Sequence, residues 1–343
     1  MTPESIQQRN ESNGEASASA ASEGFVCPHC HGALAEHESQ TLCRQCRAAF
    51  PVIDGIPCFV GDADHYRQFY EGKFTYLHRS RLGDSPLARW LYHFYALWAH
   101  PRYRFTRMAF AHLLTNRNPV VLDFGCGGGS TFLAGYETWG VDLSLTSLLN
   151  ARALYRGVAL ADGNELPFPD VQFDAVLSWD VLGHIPLEQK DHVIRQLYRV
   201  LKPGGMVVLG IEADSQSPTF QMAKRSPDLY QRYFIDQDGH YGLETATATV
   251  ERFRQHGFEI MYVEPINSAD IYRPDEILKR FDNEYVEREP GLRARVARAQ
   301  RLQRTRPTRA IANLFVGAAG RLLDRRYPLN RAAFVLLAAR RAH

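Results

Sequence analysis

The chain has 343 residues, 45% hydrophobic and 11% aromatic, with a formal net charge of +2. That length and apolar content predict one large domain with appendages and exclude a chain too polar to bury a core. The near-zero net charge excludes a global electrostatic pull toward nucleic acid or membrane, so any such attraction must come from local charge clusters.

Residues 1–24 are rich in Ser, Ala, Glu and Asn with almost no bulky apolar residue, which predicts a disordered leader. The leader lacks the apolar centre of a signal peptide. No segment approaches the roughly 20 apolar residues of a membrane span, so no transmembrane segment is expected and the expected location is cytoplasmic.

Cys27-Pro-His-Cys30 and Cys43-Arg-Gln-Cys46 stand twelve residues apart. Two such knuckles suit one zinc ion held by Cys27, Cys30, Cys43 and Cys46 in a closed tetrahedron, which serves folding and leaves no position for substrate. Two disulfides are the alternative, disfavoured in a cytosol; redox thiols would lack the usual strand–helix context. His29 and His31 beside the first knuckle read as solvated bystanders. Cys58 and Cys126 read as small buried residues. With the following run Ala49-Phe50-Pro51-Val52-Ile53-Asp54-Gly55-Ile56-Pro57, the stretch from about Phe25 to Val60 resembles the small zinc-ribbon domain that partners or precedes several methyltransferases, including some acting on tRNA or rRNA. Phe50 stands where a tyrosine is common in that family. The resemblance implies a zinc ribbon over residues 25–60.

Residues 61–117 form an aromatic-rich segment that Pro86 and Pro101 break into short helices, with Arg102 to Leu114 as the helix before the first large-sheet strand. These aromatics read as packing or as a lid over an apolar pocket. Val120-Val121-Leu122-Asp123-Phe124 is a buried strand, and Gly125, Gly127 and Gly129 let the following loop lie close against a ligand. Trp139 to Ser144 is a second strand ending in Asp142; an acid there can take both hydroxyls of a ribose. Leu160-Ala161-Asp162 precedes a loop from Gly163 to Pro169. Phe173 to Trp179 is another strand, in which Asp174 reads as a turn cap. Leu187 to Leu201 is an amphipathic helix, with Val193, Ile194, Leu197, Val200 and Leu201 on its apolar stripe. A Pro203-Gly204-Gly205 turn then leads into Met206 to Leu209. Glu244 to His256 is a helix ended by Gly257, Phe258 to Ile266 a sixth strand, and Ala333 to Ala338 a seventh.

Between the last two strands lies an insertion, residues 267–331, which Pro307 divides into two expected helices. In the second, Ile311, Leu314, Phe315, Ala318 and Leu322 share a face expected to dock on the domain. From Gly291 to His343 there are thirteen arginines, no lysine and one acid, Asp324. A solvated arginine face is the plain reading; contact with RNA phosphates or a membrane surface is the functional one.

This ordered set, from about Asn118 to Ile266, resembles the class I S-adenosylmethionine (SAM) dependent methyltransferases in their small-molecule and quinone-methylase branch. The resemblance implies an α/β fold: a Rossmann-like seven-stranded sheet, with the four-cysteine zinc ribbon before it and the helical insertion before its last strand. The methyltransferase domain would span residues 118–343. Asp123 with Gly125, Gly127 and Gly129 would hold the methionine moiety of SAM. Asp142 beside Leu143 would bind the ribose, and Asp162 beside Gly163 the adenine amino group, with Leu166 and Phe168 as adenine walls. Trp179 and Asp180 would line the mouth where the methyl group is transferred. One departure is the spacing: twelve residues separate Gly129 from Asp142, leaving room for a shorter helix than the family usually has.

Methyl transfer from a sulfonium needs orientation and water exclusion, and a base only where the acceptor must lose a proton. His184 and His240 are the candidate bases. No Asn/Asp-Pro-Pro-aromatic motif follows the fourth strand, which argues against adenine amino-group methylation. No cysteine sits where a covalent pyrimidine mechanism needs one. The expected function is methyl transfer to a small-molecule or lipid-like acceptor. The alternatives are an RNA base methyltransferase acting on rRNA or tRNA, and a non-catalytic zinc-ribbon scaffold.

Overall fold

A computed structural model describes residues 22–60, 71, 101–114, 116, 118–133 and 135–342. The expected leader, apart from residues 22–24, and most of the aromatic-rich segment therefore lie outside the described residues. Among the latter, no helix is long and apolar enough to cross a membrane.

Strands β1 (Leu34–His37), β2 (Gln40–Cys43), β3 (Ala49–Ile53) and β4 (Ile56–Pro57) form a small antiparallel sheet in chain order. The β3–β4 hairpin turns on Asp54 and Gly55, both at positive φ (52° and 74°), which is the chemistry a tight two-residue hairpin needs. The sheet is docked at the edge of a larger one. Cys58 bridges to Leu160, and the Phe59 N–H donates to the Leu160 carbonyl (2.8 Å). Phe25 meets Trp139 edge-on at 5.1 Å and also packs on Phe59 and Phe168.

The larger sheet has seven strands in the order β10-β11-β9-β8-β5-β6-β7. They are β5 (Val120–Phe124), β6 (Glu137–Asp142), β7 (Gly157–Leu160), β8 (Phe173–Trp179), β9 (Leu201–Glu212), β10 (Phe258–Ile266) and β11 (Phe334–Arg341). Neighbours from β7 through β9 pair parallel; β11 runs antiparallel to both β9 and β10. Alternating residues feed two cores, as the strand period of two requires. Leu122, Phe124, Val176, Leu209 and Leu337 face helices α3 (Leu187–Val200) and α6 (Ala246–Gln255). Val121, Ala175, Leu177, Val208 and Leu336 face α1 (Pro101–Leu113) and α2 (Leu145–Ala151).

Two local expectations are corrected. The short stretch between β5 and β6 forms hydrogen-bonded turns, not a helix, among its described residues; Leu133 N–H reaches Ser130 and Tyr136 N–H reaches Leu133. Pro203-Gly204-Gly205 does not separate the helix from its strand: it lies within β9, where the register against β8 shifts, with Gly204 at φ +75°.

After β9 come α4 (Pro218–Ala223), α5 (Pro227–Tyr230) and a π turn over Gln231–Asp236. The stretch before β11 holds α7 (Pro274–Phe281), α8 (Tyr285–Arg288), α9 (Pro290–Gln303) and α10 (Arg306–Asp324), so Pro307 begins the last of four helices where two were expected. Phe220, Leu229, Phe234, Ile277, Phe281, Tyr285 and Leu292 join these parts in a third apolar core.

The docked face of α10 is not the expected one. Ile311, Phe315, Ala318 and Leu322 are exposed, whereas Ala312, Gly320 and Asp324 are buried. Asp324 accepts from the N–H groups of Asn267 and Ala269 (2.9 and 2.8 Å) and from Ser268 Oγ. A stripe of small residues lets the helix approach the chain closely, and a carboxylate anchors its end; the larger apolar side chains are left facing outward.

Candidate functional site

The C-terminal ends of the parallel strands form one edge, and connections reverse direction between β5 and β8. A crevice at such a switch point is where open α/β sheets bind ligands. Asp123 lies within β5, buried, and accepts a short hydrogen bond from the Tyr155 hydroxyl. Tyr155 Oη in turn accepts the Ser130 N–H at 2.7 Å, which ties the glycine loop to the acid. Burial pushes the Asp123 carboxyl up to about 7, against the Tyr155 hydrogen bond.

Asp142 closes β6. Its Oδ2 accepts the Gly127 N–H at 2.7 Å and its Oδ1 the Ser144 N–H at 2.9 Å. Burial raises its carboxyl, and those N–H groups oppose the rise. Leu143 follows at the turn into α2, whose N-terminus is capped by the Ser144 side chain and by Glu71, which accepts from the Leu145 and Thr146 N–H groups (both 3.0 Å). Gly125, at φ +71°, is where the glycine loop meets the loop after β8: a Cβ there would fall 2.2 Å from Val181 Cγ2. Any side chain would push the two loops apart. Gly127 and Gly129 also adopt positive φ.

Asp162 follows β7, half-buried, and accepts the Asn164 N–H (2.5 Å). Gly163 rests against Phe124. Leu166 and Phe168 do not line an open face. Both are fully buried, and Phe168 packs on Phe25, Trp139 and Phe173, because the small sheet docks there.

At the far side of the switch point, Trp179 ends β8 half-buried. Asp180 follows at φ +58°, and its N–H donates to the Gly210 carbonyl (2.9 Å). Arg102 of α1 grips Asp180 with both guanidinium nitrogens and stacks over Phe334 at 4.3 Å. Burial works against the Asp180 charge, but Arg102 holds the carboxyl below its ordinary value. Asp180 is thus committed to an ion pair.

His184 and His240 are distant in sequence, yet their rings lie 4.7 Å apart. His184 Nδ1 is 3.0 Å from the Gly239 carbonyl, and His240 Nδ1 is 3.0 Å from the Phe234 carbonyl. Burial and then the neighbouring His184 push His240 down to about 3. Sequence reading missed Glu212, which joins this pair: Oε1 lies 3.9 Å from His240 Nε2. Burial and the nearby Asp180 charge push the Glu212 carboxyl well above its ordinary value. An acid closing the apolar run Met206–Ile211 at a strand's C-terminal end was the available signal.

The four cysteines converge beside the small sheet. All four sulfurs lie within 4.8 Å of one another. The two knuckles repeat one geometry. The N–H groups of His31 and Arg47, both at positive φ, reach the carbonyls of Cys27 and Cys43. Cys27 and Cys43 N–H groups reach Gly32 and Ala48. Separations of 3.4 Å (Cys30–Cys43) and 3.6 Å (Cys27–Cys46) are far from the about 2.05 Å of a disulfide. The Gln45 and Cys46 N–H groups point at Cys43 Sγ (both 3.4 Å), as they would at a metal-bound thiolate. The donor set and its spacing fit a four-thiolate zinc site.

A family model described as a methyltransferase domain matches residues 122–209. A protein of Encephalitozoon cuniculi named as a methyltransferase is 31% identical over 153 residues, 42% of this chain and 72% of that protein. The 27-O-demethylrifamycin SV methyltransferase of Amycolatopsis mediterranei is 37% identical over 103 residues, 26% of this chain and 37% of the relative. The tRNA (carboxymethyluridine(34)-5-O)-methyltransferase of Arabidopsis thaliana is 32% identical over 111 residues, 32% of this chain and 28% of the relative. The chain thus spans well under half the length of the last two.

Proposed function

This chain belongs to the SAM-dependent methyltransferase family, and from that premise we propose that it methylates a small or lipid-like acceptor at the edge built by β5, β6, β8 and β9. Asp123 would receive the methionine ammonium of SAM, Asp142 and Leu143 the ribose, and Asp162 with Gly163 the adenine. Gly125, Gly127 and Gly129 would let the loop follow the cofactor. Trp179 would border the reacting methyl group. Asp180, paired with Arg102, would position rather than react.

One observation carries the acceptor reading. Beside Trp179 and Asp180 lie His184, His240 and Glu212, the last two largely buried. Polar groups that are largely buried suit a small reacting group better than a broad polymer surface. The third apolar core supports this cluster, since its Phe234, in the π turn, supplies the carbonyl that holds His240. The arginines of the insertion are in part spent internally: Arg288 on Asp228, Arg295 on Asp270, Arg273 on Glu276, and Arg325 near Glu264. Arg298, Arg301 and Arg304 are exposed and would be available to RNA or a membrane surface.

Cys27, Cys30, Cys43 and Cys46 would hold one structural zinc, which supplies folding energy and no chemistry at the mouth. Labelled SAM with a panel of small hydroxyl and amine acceptors tests the reading. Reversing Arg298, Arg301 and Arg304 to Glu should leave that transfer intact. Structure-selective RNA binding at physiological salt, with a log–log slope near −0.7 per contact that flattens on reversal, would favour the RNA reading instead.

A further inference from the structure

A surface helix ordinarily buries its larger apolar face and shows the polar one to water. Helix α10 is turned the other way. Ile311, Phe315 and Leu322 are 56%, 70% and 74% exposed, and Ala318 between them is exposed too. At about 100° per residue these four positions fall within an arc of about 60°, and Ile311 to Leu322 covers about 16 Å of helix. The orientation is fixed from behind. Asp324 accepts from the Asn267 and Ala269 N–H groups and from Ser268 Oγ, and a Cβ on Gly320 would stand 3.6 Å from the Ile271 carbonyl oxygen. Large apolar side chains held out in water cost free energy unless something covers them.

The end of this stripe is positive. Past Leu322 come the exposed Arg325 and Arg326, which the helical period places on either side of the stripe. Arg325 is shared with Glu264 at 3.6 Å and with the Tyr262 ring. The exposed Tyr327 follows, with the Arg331 guanidinium 4.6 Å over its ring. From Gly291 to His343 there are thirteen arginines and one acid, and that acid, Asp324, is buried.

We infer that α10 docks the protein on an anionic membrane surface: Ile311, Phe315 and Leu322 enter the boundary between headgroups and acyl chains, and Arg325 and Arg326 meet lipid phosphates. Charge complementarity decides the occupant. A second copy of this chain would set the stripe against itself across a two-fold axis, bringing arginine to arginine with no exposed acid from residues 291–343 to offset them. RNA would satisfy the arginines but gain little from Ile311 and Leu322, and one phenylalanine is no stacking platform. An anionic lipid surface matches both parts, with apolar depth for the stripe and phosphate for its flanks. Among the described residues no helix is long and apolar enough to cross the bilayer, so α10 would lie in its surface.

The test is co-flotation of the full chain with phosphatidylcholine vesicles holding about one-third phosphatidylglycerol, against phosphatidylcholine alone, at about 0.1 M salt. Wild type should bind the anionic vesicles at least about tenfold more tightly than the neutral ones. The double variant Phe315→Ala/Leu322→Ala keeps every arginine and should lose more than about tenfold. Arg326→Glu keeps the stripe and should lose at least about fivefold. Both variants change exposed side chains only, so both should keep the wild-type circular dichroism and methyl transfer to a soluble acceptor. Absence of flotation, or equal flotation by the folded double variant, overturns the inference. A dimer in sedimentation that the double variant breaks, without vesicle binding, overturns it in favour of a second copy. RNA binding that depends on Phe315 and Leu322, again without vesicle binding, overturns it in favour of RNA.

Discussion

Replacing Asp142 with Asn tests the cofactor half of the site, because the structure dictates how an isosteric amide must fail. Each carboxylate oxygen of Asp142 already accepts a backbone N–H, one from Gly127 and one from Ser144. An amide offers one oxygen and one NH₂ group, so whichever way it turns, a donor faces a donor. The orphaned N–H belongs either to the glycine loop or to the start of α2. An unsatisfied buried donor costs about 1–3 kcal/mol, which should lower the melting temperature without preventing folding. In the SAM complex the same change removes the negative charge from the ribose hydroxyls. A hydrogen bond to a charged group is worth about 1.5–3 kcal/mol, or roughly 10- to 150-fold in affinity. Calorimetry with SAM on folded Asp142→Asn protein measures this directly. Unchanged affinity would mean the ribose is held elsewhere and would refute the assignment of β6 as the ribose-binding strand.

The pH dependence of SAM binding should follow Asp123. Its carboxyl sits near 7 without cofactor and must ionise to meet an ammonium, so affinity should rise about tenfold per unit below that value and level off above it. Tyr155→Phe removes the donor that opposes this rise and should move the transition to higher pH. For stability the sign is the reverse. The protonated folded group contributes fully below the unfolded carboxyl's value near 3.9, and that contribution is lost as pH rises through about 7. Cys43→Ser should remove about one zinc per chain and expose residues 25–60 to protease, while SAM affinity changes far less than in the Asp142 variant; retention of zinc at wild-type stoichiometry would contradict the four-thiolate reading. Phe315→Ala should alter stability by no more than about 0.5 kcal/mol, since the ring is 70% exposed, and a loss of several kcal/mol on thermal unfolding would show that the face is covered in solution.

What the sequence by itself determined was whatever a short window encodes. The alternation in Val120–Phe124 and Phe173–Trp179, the stripe Val193-Ile194-Leu197-Val200, and the two knuckles with their shared spacing each carry their own period or turn chemistry. The sixth strand fell at Phe258–Ile266, as its flanking Gly257 and apolar content indicate. Only the tertiary structure decided the contacts between distant windows. Glu212 meets His184 and His240 because β9 lies beside β8 and because the π turn brings the Phe234 carbonyl behind His240. Phe168 is core rather than a ligand wall because the cysteine-bearing sheet docks over it. On α10 the larger apolar stripe faces outward, since close approach to Ile271 selects Gly320, and Asp324 finds two backbone N–H groups at the end. Hydrophobic periodicity reports which side chains share a face. Which face is buried depends on the shape and hydrogen-bond donors of a partner surface assembled from elsewhere in the chain.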